Sequence, residues 1–396
     1  MPESVRASQR AEWDRARLVL VCAPAVETLF ATLNTDAFNF LRPFDPARAR
    51  AQHAALRSTL ESRAITVVDV REVLAAGDRA RLRDAAGRAL VYVADESVSP
   101  ADREALDRLH ERTIDALGPG ALADLVMLRP AVHVRTNADA RDATSRFSAD
   151  FEVRPAGNSY FMRDPMITTA AGVVVGRFDL AVRRPENDVA ELVLAQLGIT
   201  PLLRVAAPGR VEGGDFLPAG RFCLQGQGFL TNEDGVGQLL DAGAYGDVEV
   251  GVVRDPRGGM DEMHLDTYLA LYDTDLAGIC EDRTGDAEPE VDVWVPDETR
   301  AGRRYRRTRT TTLLAYLAEH GMDVVTFTKD EQEQFAANGL LAGPRDYLVP
   351  AQAGPAFVDR LRARDVRVET VDVDELTSGY GGPHCATQVL WREPAR

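Results

Sequence analysis

The amino-acid sequence predicts a mixed α/β protein. Short apolar runs typical of buried strands alternate with amphipathic helical segments along nearly the whole chain. With 396 residues, 45% of them hydrophobic, the chain can bury a sizeable core in one large domain or two ordinary ones. No run approaches the length of uncharged apolar sequence that a membrane span requires, so the pattern indicates a globular protein.

The first predicted unit is a strand, a helix and a second strand. RLVLVCAP at 17–24 is an apolar run typical of a buried strand, and AITVVDV at 64–70 is another. Between them, HAALRSTLES at 53–62 has the apolar spacing of an amphipathic helix. This order indicates a β-α-β unit near the start of the chain.

The region from 73 to 146 has a different character. In ESVSPADREALDRLHERTIDALG, Ser99 is suited to cap a helix and Pro100 to occupy its first position, where no backbone N–H is needed. Leucines then recur at helical spacing. The sequence therefore predicts a single catalytic domain over 1–396, interrupted by a helical insertion at 73–146.

Strand patterns return after the insertion as short apolar runs. The segment LLAYLAEHG at 313–321 is predicted to be a helix among them. The basic stretch RAGRRYRRTRTT at 300–311 is predicted to be a solvated surface segment. The predicted strands are 172–182, 222–231, 248–253, 265–279, 291–295, 323–327, 347–351, 366–373 and 387–391.

The formal net charge of −16 restricts the partners that the protein can have. A negative surface repels polyphosphate and anionic lipid, which argues against nucleic acid and membranes and favours small cationic substrates. The N-terminus has no apolar segment after a basic start, so the expected location is the cytoplasm. The sequence leaves the oligomeric state open, and a homo-oligomer is possible.

The four cysteines, Cys22, Cys223, Cys280 and Cys385, are far apart and form no C-x-x-C pair. This spacing argues against a disulfide framework and against a cysteine-rich zinc site. The first three lie in apolar runs typical of core strands. Cys385 instead follows a glycine-rich turn in SGYGGPHCATQVLW (378–391), where a loop meets a predicted strand. By itself this stretch is compatible with a reactive thiol and with an ordinary buried one.

Three further stretches carry side chains suited to catalysis. In NSYFMRDPM, Asp164 precedes a proline and is predicted to be extended or in a turn. In VEGGDF, Glu212 and Asp215 flank two glycines, which allow backbone to approach a ligand closely. In MHLDTYLALY, His264 and Asp266 stand two apart at the start of a predicted strand, so their side chains are expected on the same face.

Taken in this order, FMRDP, EGGD, MHLDT and GGPHC resemble the arginine deiminase branch of the guanidino-group-modifying enzymes. The resemblance covers nearly the whole chain, including the early LVLVCAP strand and the helical insertion. It implies a five-fold pseudosymmetric α/β propeller with the site at its central axis, and neither a metal nor an organic cofactor. EGGD also separates the chain from the glycine amidinotransferases.

The chemistry of a guanidino group assigns expected roles to these residues. Asp164 and Asp266 would hold the flat guanidinium through paired N–H bonds. Cys385, as a thiolate, would attack the guanidino carbon, and His264 would protonate the departing amine and then activate water. Glu212 would keep the imidazole protonated at the start of the cycle. The expected reaction converts a guanidino to a ureido group with release of ammonia, L-arginine to L-citrulline being the reference case.

The positions expected to hold the rest of the substrate match the family less well. The candidate contacts are Asn158, Phe161, Arg183, Asp215 and Tyr380. Asn158 and Arg183 stand where the family binds the substrate α-carboxylate, but Tyr380 and Leu230 occupy two positions at which arginines are expected. Losing these partners removes charge-assisted bonds worth about 1.5–3 kcal/mol each. The sequence therefore leaves open which guanidino compound is the substrate.

Two other functions are compatible with the same scaffold. An amidinotransferase would form the same covalent intermediate and deliver the amidino group to an amine, and the alanine after Cys385, where deiminases usually have methionine, keeps this alternative open. A non-catalytic binding protein is disfavoured, because it would not need Cys385, His264 and both aspartates together. His384 is predicted to be a loop residue whose neighbouring backbone lines the site.

Overall fold

The computed structural model describes residues 7–43, 45–137, 147–257, 259–297, 299 and 304–394, and this part of the chain has the predicted mixed α/β class. Its helices are α1 Val26–Thr32, α2 Thr35–Phe38, α3 Pro46–Glu61, α4 Val70–Ala76, α5 Arg79–Ala89, α6 Pro100–Ala116, α7 Pro119–Leu128, α8 Arg184–Gln196, α9 Glu233–Ala242, α10 Leu313–Glu319, α11 Lys329–Glu333 and α12 Pro355–Arg362. Its strands are β1 Arg15–Val21, β2 Thr66–Asp69, β3 Val91–Ala94, β4 Pro130–Thr136, β5 Phe147–Val153, β6 Met166–Thr168, β7 Val173–Val175, β8 Leu203–Arg204, β9 Phe216–Ala219, β10 Phe222–Gln227, β11 Glu249–Arg254, β12 Leu269–Asp273, β13 Leu276–Cys280, β14 Glu290–Pro296, β15 Tyr305–Thr312, β16 Asp323–Phe327, β17 Leu340–Gly343, β18 Asp346–Pro350, β19 Arg367–Val371 and β20 Gln388–Glu393.

Five sheets contain the same three-stranded pattern, an antiparallel pair followed by a parallel strand. The strand orders are β20-β1-β2, β6-β7-β8, β9-β10-β11, β12-β13-β16 and β17-β18-β19. Because parallel neighbours need a crossover connection, a helix lies between the two parallel strands in each case: α3, α8, α9, α10 and α12. The third sheet is extended by β14 and β15. We number these five units in the order given.

The two ends of the described chain meet in the first unit. The C-terminal strand β20 runs antiparallel to β1, with Val19 opposite Val389. Both valines pack in one apolar cluster with Leu340 and Leu348 from the fifth unit. The first and fifth units are therefore held together by a shared core.

The insertion between β2 and β6 is only partly helical. It contains α4 to α7, but β3 pairs parallel with β4, and β4 pairs antiparallel with β5. The prediction that 73–146 is helical throughout is therefore wrong. The β-branched valines of VYVA and AVHV favour extended backbone over helix, and these two runs form β3 and β4. Residues 138–146 of the predicted module lie outside the described residues.

The predicted start of α6 is confirmed. Ser99 is the N-cap and its side chain accepts a hydrogen bond from the backbone N–H of Asp102, while Pro100 is the first helical residue.

Within the described part of the chain, no helix has both the length and the apolar character needed to cross a lipid bilayer.

Two predicted strand segments differ in the structure, and the basic stretch predicted as a surface segment contains a strand. The run 172–182 is a strand only over Val173–Val175, and the run 265–279 is a short turn followed by the hairpin of β12 and β13. The basic stretch forms the edge strand β15, on which Arg307 pairs with Asp292. Residues 300–303 of that stretch lie outside the described residues.

The four chemical motifs share one structural position, since each precedes the first strand of a unit. FMRDP comes just before β6, EGGD before β9, MHLD before β12, and GGPHC before β20. The corresponding loop before β17 contains Asn338. The topology therefore places one chemically distinct loop at the same point of every unit.

Candidate active site

One small cavity brings four of the five predicted catalytic residues together, and the fifth, Asp266, does not line it but lies 3.5 Å from the Cys385 sulfur. Its lining includes Cys385, His264, Asp164 and Glu212. Four of the predicted substrate contacts, Asn158, Phe161, Arg183 and Tyr380, line it as well. The other lining residues are Asn39, Leu180, Leu230, Met263 and Gly379. Convergence of side chains from loops more than 200 residues apart makes this cavity the candidate active site.

The glycine-rich turn before Cys385 has the close approach that the sequence predicted. A Cβ on Gly381 would lie 2.6 Å from the Cβ of Cys385, so only glycine fits there. The side-chain oxygen of Asn338 accepts hydrogen bonds from the backbone N–H groups of Gly382, at 2.7 Å, and Cys385, at 3.2 Å. Cys385 is therefore fixed where this loop meets β20, at the wall of the cavity.

The surroundings of Cys385 favour the protonated thiol over the thiolate. The side chain is 3% exposed, and its Sγ lies 3.5 Å from Oδ2 of Asp266. Burial, with the negative charges of Asp266 and Asp164, raises the pKa of the thiol well above its ordinary value. A cation placed between these carboxylates would offset both effects. Cys22, Cys223 and Cys280 are buried free thiols, as predicted for core residues.

His264 and Asp266 are close together, but not through the predicted strand. His264 is extended and precedes a 3₁₀ turn over Leu265–Thr267, so the same-face argument is wrong. The carboxylate of Asp215 stabilises this turn by accepting a hydrogen bond from the backbone N–H of Leu265 at 3.1 Å. A Cβ on Gly214 would lie 2.6 Å from Nδ1 of His264 and 2.8 Å from Oδ1 of Asp266. Both side chains therefore pack directly over a glycine of EGGD.

His264 is held as an imidazolium by its neighbours. Its Nε2 lies 3.2 Å from Oε2 of Glu212. Burial by itself lowers the pKa of His264, but the hydrogen bond with Glu212 and the charges of Asp215 and Asp164 outweigh it and raise the pKa to about 10. The ring is therefore a proton donor at neutral pH, as expected from the sequence.

Replacing Glu212 by glutamine is expected to lower the pKa of His264, because the amide keeps a hydrogen-bonding group but removes the negative charge. In the wild-type protein the imidazolium contributes stability below its ordinary pKa of 6.5, and this contribution is lost as pH rises through about 10. The Glu212→Gln variant should lose this contribution to stability at a lower pH than the wild-type protein does. NMR titration of the His264 ring would measure the shift, and an unchanged pKa would contradict the assigned pair.

Asp266 is buried beside the nucleophile and is oriented by His384. Nδ1 of His384 lies 2.7 Å from Oδ2 of Asp266, and Nε2 lies 3.6 Å from Oε1 of Glu12. Burial raises the pKa of Asp266, but the hydrogen bond and charge of His384 more than offset it, so the pKa is held below its usual range. His384 lies in the turn before Cys385, as predicted, but its ring also contacts a candidate catalytic carboxylate, which was not predicted from the sequence.

Arg183 already has carboxylate partners. Its Nη2 lies 2.8 Å from Oε2 of Glu186 and 3.1 Å from Oδ2 of Asp164, and its Nη1 lies 3.8 Å from Oε2 of Glu212. Its guanidinium also stacks 4.2 Å from the centre of the Phe178 ring. The sequence predicted that Arg183 binds a substrate carboxylate, but in this structure the protein's own carboxylates occupy its guanidinium.

Two carboxylate oxygens at the site accept no hydrogen bond from the described residues. Oδ1 of Asp164 and Oδ1 of Asp266 are both buried in this state. Burial raises the pKa of Asp164 above its usual range, although the Arg183 charge opposes the rise. Oδ1 of Asn158 is also buried and unpaired, while its Nδ2 donates to the carbonyl of Phe38 at 2.8 Å. Unpaired buried acceptors are costly, so these oxygens are candidate partners for the N–H groups of a ligand.

The remaining predicted contacts divide into two groups. Phe161 and Tyr380 face the cavity, and Tyr380 has a φ of 69° and ψ of 33°, a left-handed conformation that is rare for a tyrosine. Asp215 supports the turn after His264 and does not line the cavity, so its position does not favour substrate contact. Burial raises the pKa of Asp215 to about 6.

The motif search missed several supporting residues. Glu186 holds Arg183, Glu12 lies next to His384, and Asn338 fixes the cysteine loop. None belongs to a recognisable motif. Asn338 could have been found from topology, because it lies in the loop before the first strand of the fifth unit, the position that carries chemistry in the other four. Among the described residues, no group of three or more His, Cys, Asp or Glu side chains could hold a metal ion.

Comparisons with known proteins identify the family to which the chain is similar. The family model for arginine deiminase matches residues 38–392. The arginine deiminase of Halobacterium salinarum is 27% identical over an alignment 490 positions long, which spans 99% of this chain and 99% of that protein. The match extends from the first unit through the cysteine loop.

Two solved structures share the fold at low sequence identity. The DDAH of Pseudomonas aeruginosa, solved in complex with citrulline, has a TM-score of 0.54 at 17% identity, over 94% of this chain and 98% of that one. An amidinotransferase of Microseira wollei from a saxitoxin biosynthetic pathway has a TM-score of 0.54 at 12% identity, over 98% of each chain. The family model covers most of the chain and includes all four motifs. The chain therefore belongs to the arginine deiminase family of hydrolases.

Proposed function

We propose that the protein hydrolyses a guanidino group to a ureido group and releases ammonia, with Cys385 as the nucleophile. The observation that carries the proposal is the convergence of Cys385, His264 and Asp164 on one buried cavity. Family membership supports the reaction class, since the family model and the curated relatives are arginine deiminases.

Recognition of a flat cation follows from the carboxylates around the sulfur. A guanidinium presents paired N–H groups in one plane, and carboxylates accept them in pairs. Oδ1 of Asp164 and Oδ1 of Asp266 are buried acceptors without partners among the described residues. Asp164 also binds the guanidinium of Arg183, so its environment already suits this chemical group. We infer that these two aspartates hold the substrate guanidinium next to Cys385.

The reaction then proceeds in two displacements at the guanidino carbon. When the bound cation lowers the pKa of Cys385, the thiol releases its proton to water and the thiolate adds to the guanidino carbon. The imidazolium of His264 protonates one terminal amine, and ammonia leaves as an amidino-thioester-like intermediate forms. The neutral imidazole next takes a proton from water, whose oxygen attacks the same carbon. Collapse of this second adduct breaks the C–S bond, which restores the thiolate and leaves a ureido product. Glu212 stabilises the imidazolium at both ends of the cycle.

Hydrolysis and amidino transfer differ only in the group that attacks the intermediate. The family model and the curated relatives do not favour the amidinotransferase alternative, and the likeness to the Microseira wollei amidinotransferase concerns the fold alone. The test is to supply guanidino compounds without any amine acceptor and to measure ammonia and ureido product. Equal amounts of both support hydrolysis. Product that appears only when an amine acceptor is added would instead establish transfer.

The thiol of Cys385 is expected to become more acidic when a guanidinium binds. Its pKa is raised by burial, Asp266 and Asp164 in this structure, and a cation between the same carboxylates removes that repulsion. A fall of at least about one unit, equivalent to about 1.4 kcal/mol, is expected. Ultraviolet thiolate absorbance with and without guanidinium at a non-denaturing concentration would measure it, with Cys385→Ser as the baseline. An unchanged or raised pKa would contradict the proposed binding site.

We infer further that the five units form a five-fold pseudosymmetric propeller, within one domain that the region 73–146 interrupts. Three observations support the inference: the units have the same strand pattern, β20 joins the first unit to the end of the chain, and the motif loops occupy corresponding positions. A crystal structure in which the five units do not surround one axis through Cys385 would overturn it.

A further inference from the structure

We propose that the preferred substrate is a guanidino compound without a carboxylate in the part that enters the cavity, such as an alkylguanidine or a guanidinoamine. This inference rests on the proposed function and names its substrate class. It follows from the charges and the apolar groups that line the cavity around Cys385.

The cations that line the cavity are Arg183 and His264, and both already have carboxylate partners. Arg183 contacts Glu186 at 2.8 Å, Asp164 at 3.1 Å and Glu212 at 3.8 Å. His264 lies 3.2 Å from Glu212. A substrate carboxylate would therefore have to compete with the protein's own carboxylates for each of these cations.

Arg183 is also held in place by packing. It is 5% exposed, and its guanidinium lies against the Phe178 ring. Two of its nitrogens donate to Glu186, which itself accepts a hydrogen bond from the backbone N–H of Asn158. Moving Arg183 towards a ligand would break these contacts and leave Glu186 buried without its partner, which is strongly unfavourable.

Apart from the amides Asn39 and Asn158, most of the remaining lining is suited to a hydrocarbon chain. Phe161, Leu180, Leu230, Met263 and Tyr380 supply apolar or aromatic surface. Methylene groups gain free energy when they are buried against such surface, whereas an unpaired carboxylate loses its hydration there. The negative charges of Asp164 and Glu212 attract the guanidinium of a substrate and repel a carboxylate on its tail.

The first experiment compares L-arginine, agmatine and butylguanidine as substrates of the full chain. Agmatine lacks the carboxylate of arginine, and butylguanidine lacks both the carboxylate and the ammonium group. Each carboxylate-free compound is expected to have a kcat/KM for ammonia release at least about tenfold above that of L-arginine. If the kcat/KM of agmatine alone exceeds that of L-arginine, the proposed substrate class is still supported, and the protein also recognises the ammonium group of agmatine. A value for L-arginine equal to or above both others would overturn the inference.

Binding separates failure of this inference from failure of the proposed function. If none of the three compounds is hydrolysed, the proposed reaction is wrong. Calorimetry on Cys385→Ser with the same compounds then still tests the substrate class, because the carboxylates and Arg183 are unchanged. Tighter binding of agmatine and butylguanidine than of L-arginine would support the class, and the reverse order would reject it.

A substitution that adds a cation should shift the preference. Leu230→Arg is expected to raise the ratio of the L-arginine to the agmatine kcat/KM by at least about tenfold. Leu230→Met, which is similarly long but uncharged, should leave that ratio within about twofold of the wild-type value. Tyr380→Arg is the second charged variant if Leu230→Arg does not fold. A folded arginine variant at either position with an unchanged ratio would count against the inference.

Discussion

The Cys385→Ser protein is expected to retain its fold and bind substrate, but to turn over at least about 10³-fold more slowly than the wild type. Serine preserves the size of the side chain, while its hydroxyl is a far weaker nucleophile than a thiolate. The proposed guanidinium partners Asp164 and Asp266 remain, so the affinity for substrate should change little. Ammonia release measures kcat, calorimetry measures the dissociation constant, and thermal melting checks the fold.

Cys223→Ala is the matched control for this change. Cys223 is also a buried free thiol, but it lies in β10 and does not line the cavity. This variant should retain wild-type kcat, although loss of the sulfur from the core can lower its melting temperature. Undiminished turnover by Cys385→Ser would remove the covalent mechanism from consideration.

Asp266→Asn is expected to have the second largest effect, with opposite changes in reactivity and catalysis. The amide removes one of the two charges that we propose hold the substrate guanidinium, and loss of a buried charged partner corresponds to a fall of about 10²–10³-fold in kcat/KM. The same change removes the charge 3.5 Å from Sγ that raises the thiol pKa. The pKa of Cys385 should therefore fall, and its alkylation by iodoacetamide at neutral pH should become faster.

A fall in kcat/KM together with faster alkylation of Cys385 distinguishes a catalytic role of Asp266 from general damage to the site. A misfolded variant would lose activity and expose all four cysteines, whereas the expected protein gains reactivity at Cys385 alone. Peptide mapping of the alkylated cysteine makes the distinction. Asp275→Asn is the control, because Asp275 is an exposed aspartate that pairs with Arg345 away from the cavity. Slower alkylation of Cys385 in folded Asp266→Asn would contradict the assigned electrostatics.

The candidate catalytic residues could be proposed from sequence because their motifs are local and chemically distinctive. Cys385, His264, Asp164 and Glu212 were each identified from their neighbours in the chain, and the structure places all four in one cavity. The α/β class followed from the spacing of apolar residues along the chain. The error at 73–146 arose because short valine-rich runs cannot be separated from helix by periodicity when long helices surround them.

Long-range electrostatic partners could not be predicted in the same way. Glu186 is three residues from Arg183 in the chain, but nothing in the sequence reveals that Asp164 and Glu212 also approach its guanidinium. The contact between His384 and Asp266 joins residues 118 positions apart. The turn after His264 was mistaken for a strand because its stabilising hydrogen bond comes from Asp215, in a different unit.

The sequence by itself determined the family, the order of the motifs and the residue types available for chemistry, because these depend only on which side chains the chain carries. Only the tertiary structure decided which of those side chains remain free to bind a ligand. Ion pairs and buried hydrogen bonds depend on distance and exclusion of water, and folding sets both between residues that are remote in the chain. In this protein, the folded arrangement leaves Oδ1 of Asp164 and Oδ1 of Asp266 without hydrogen-bond partners among the described residues. It also pairs the guanidinium of Arg183 with the protein's own carboxylates.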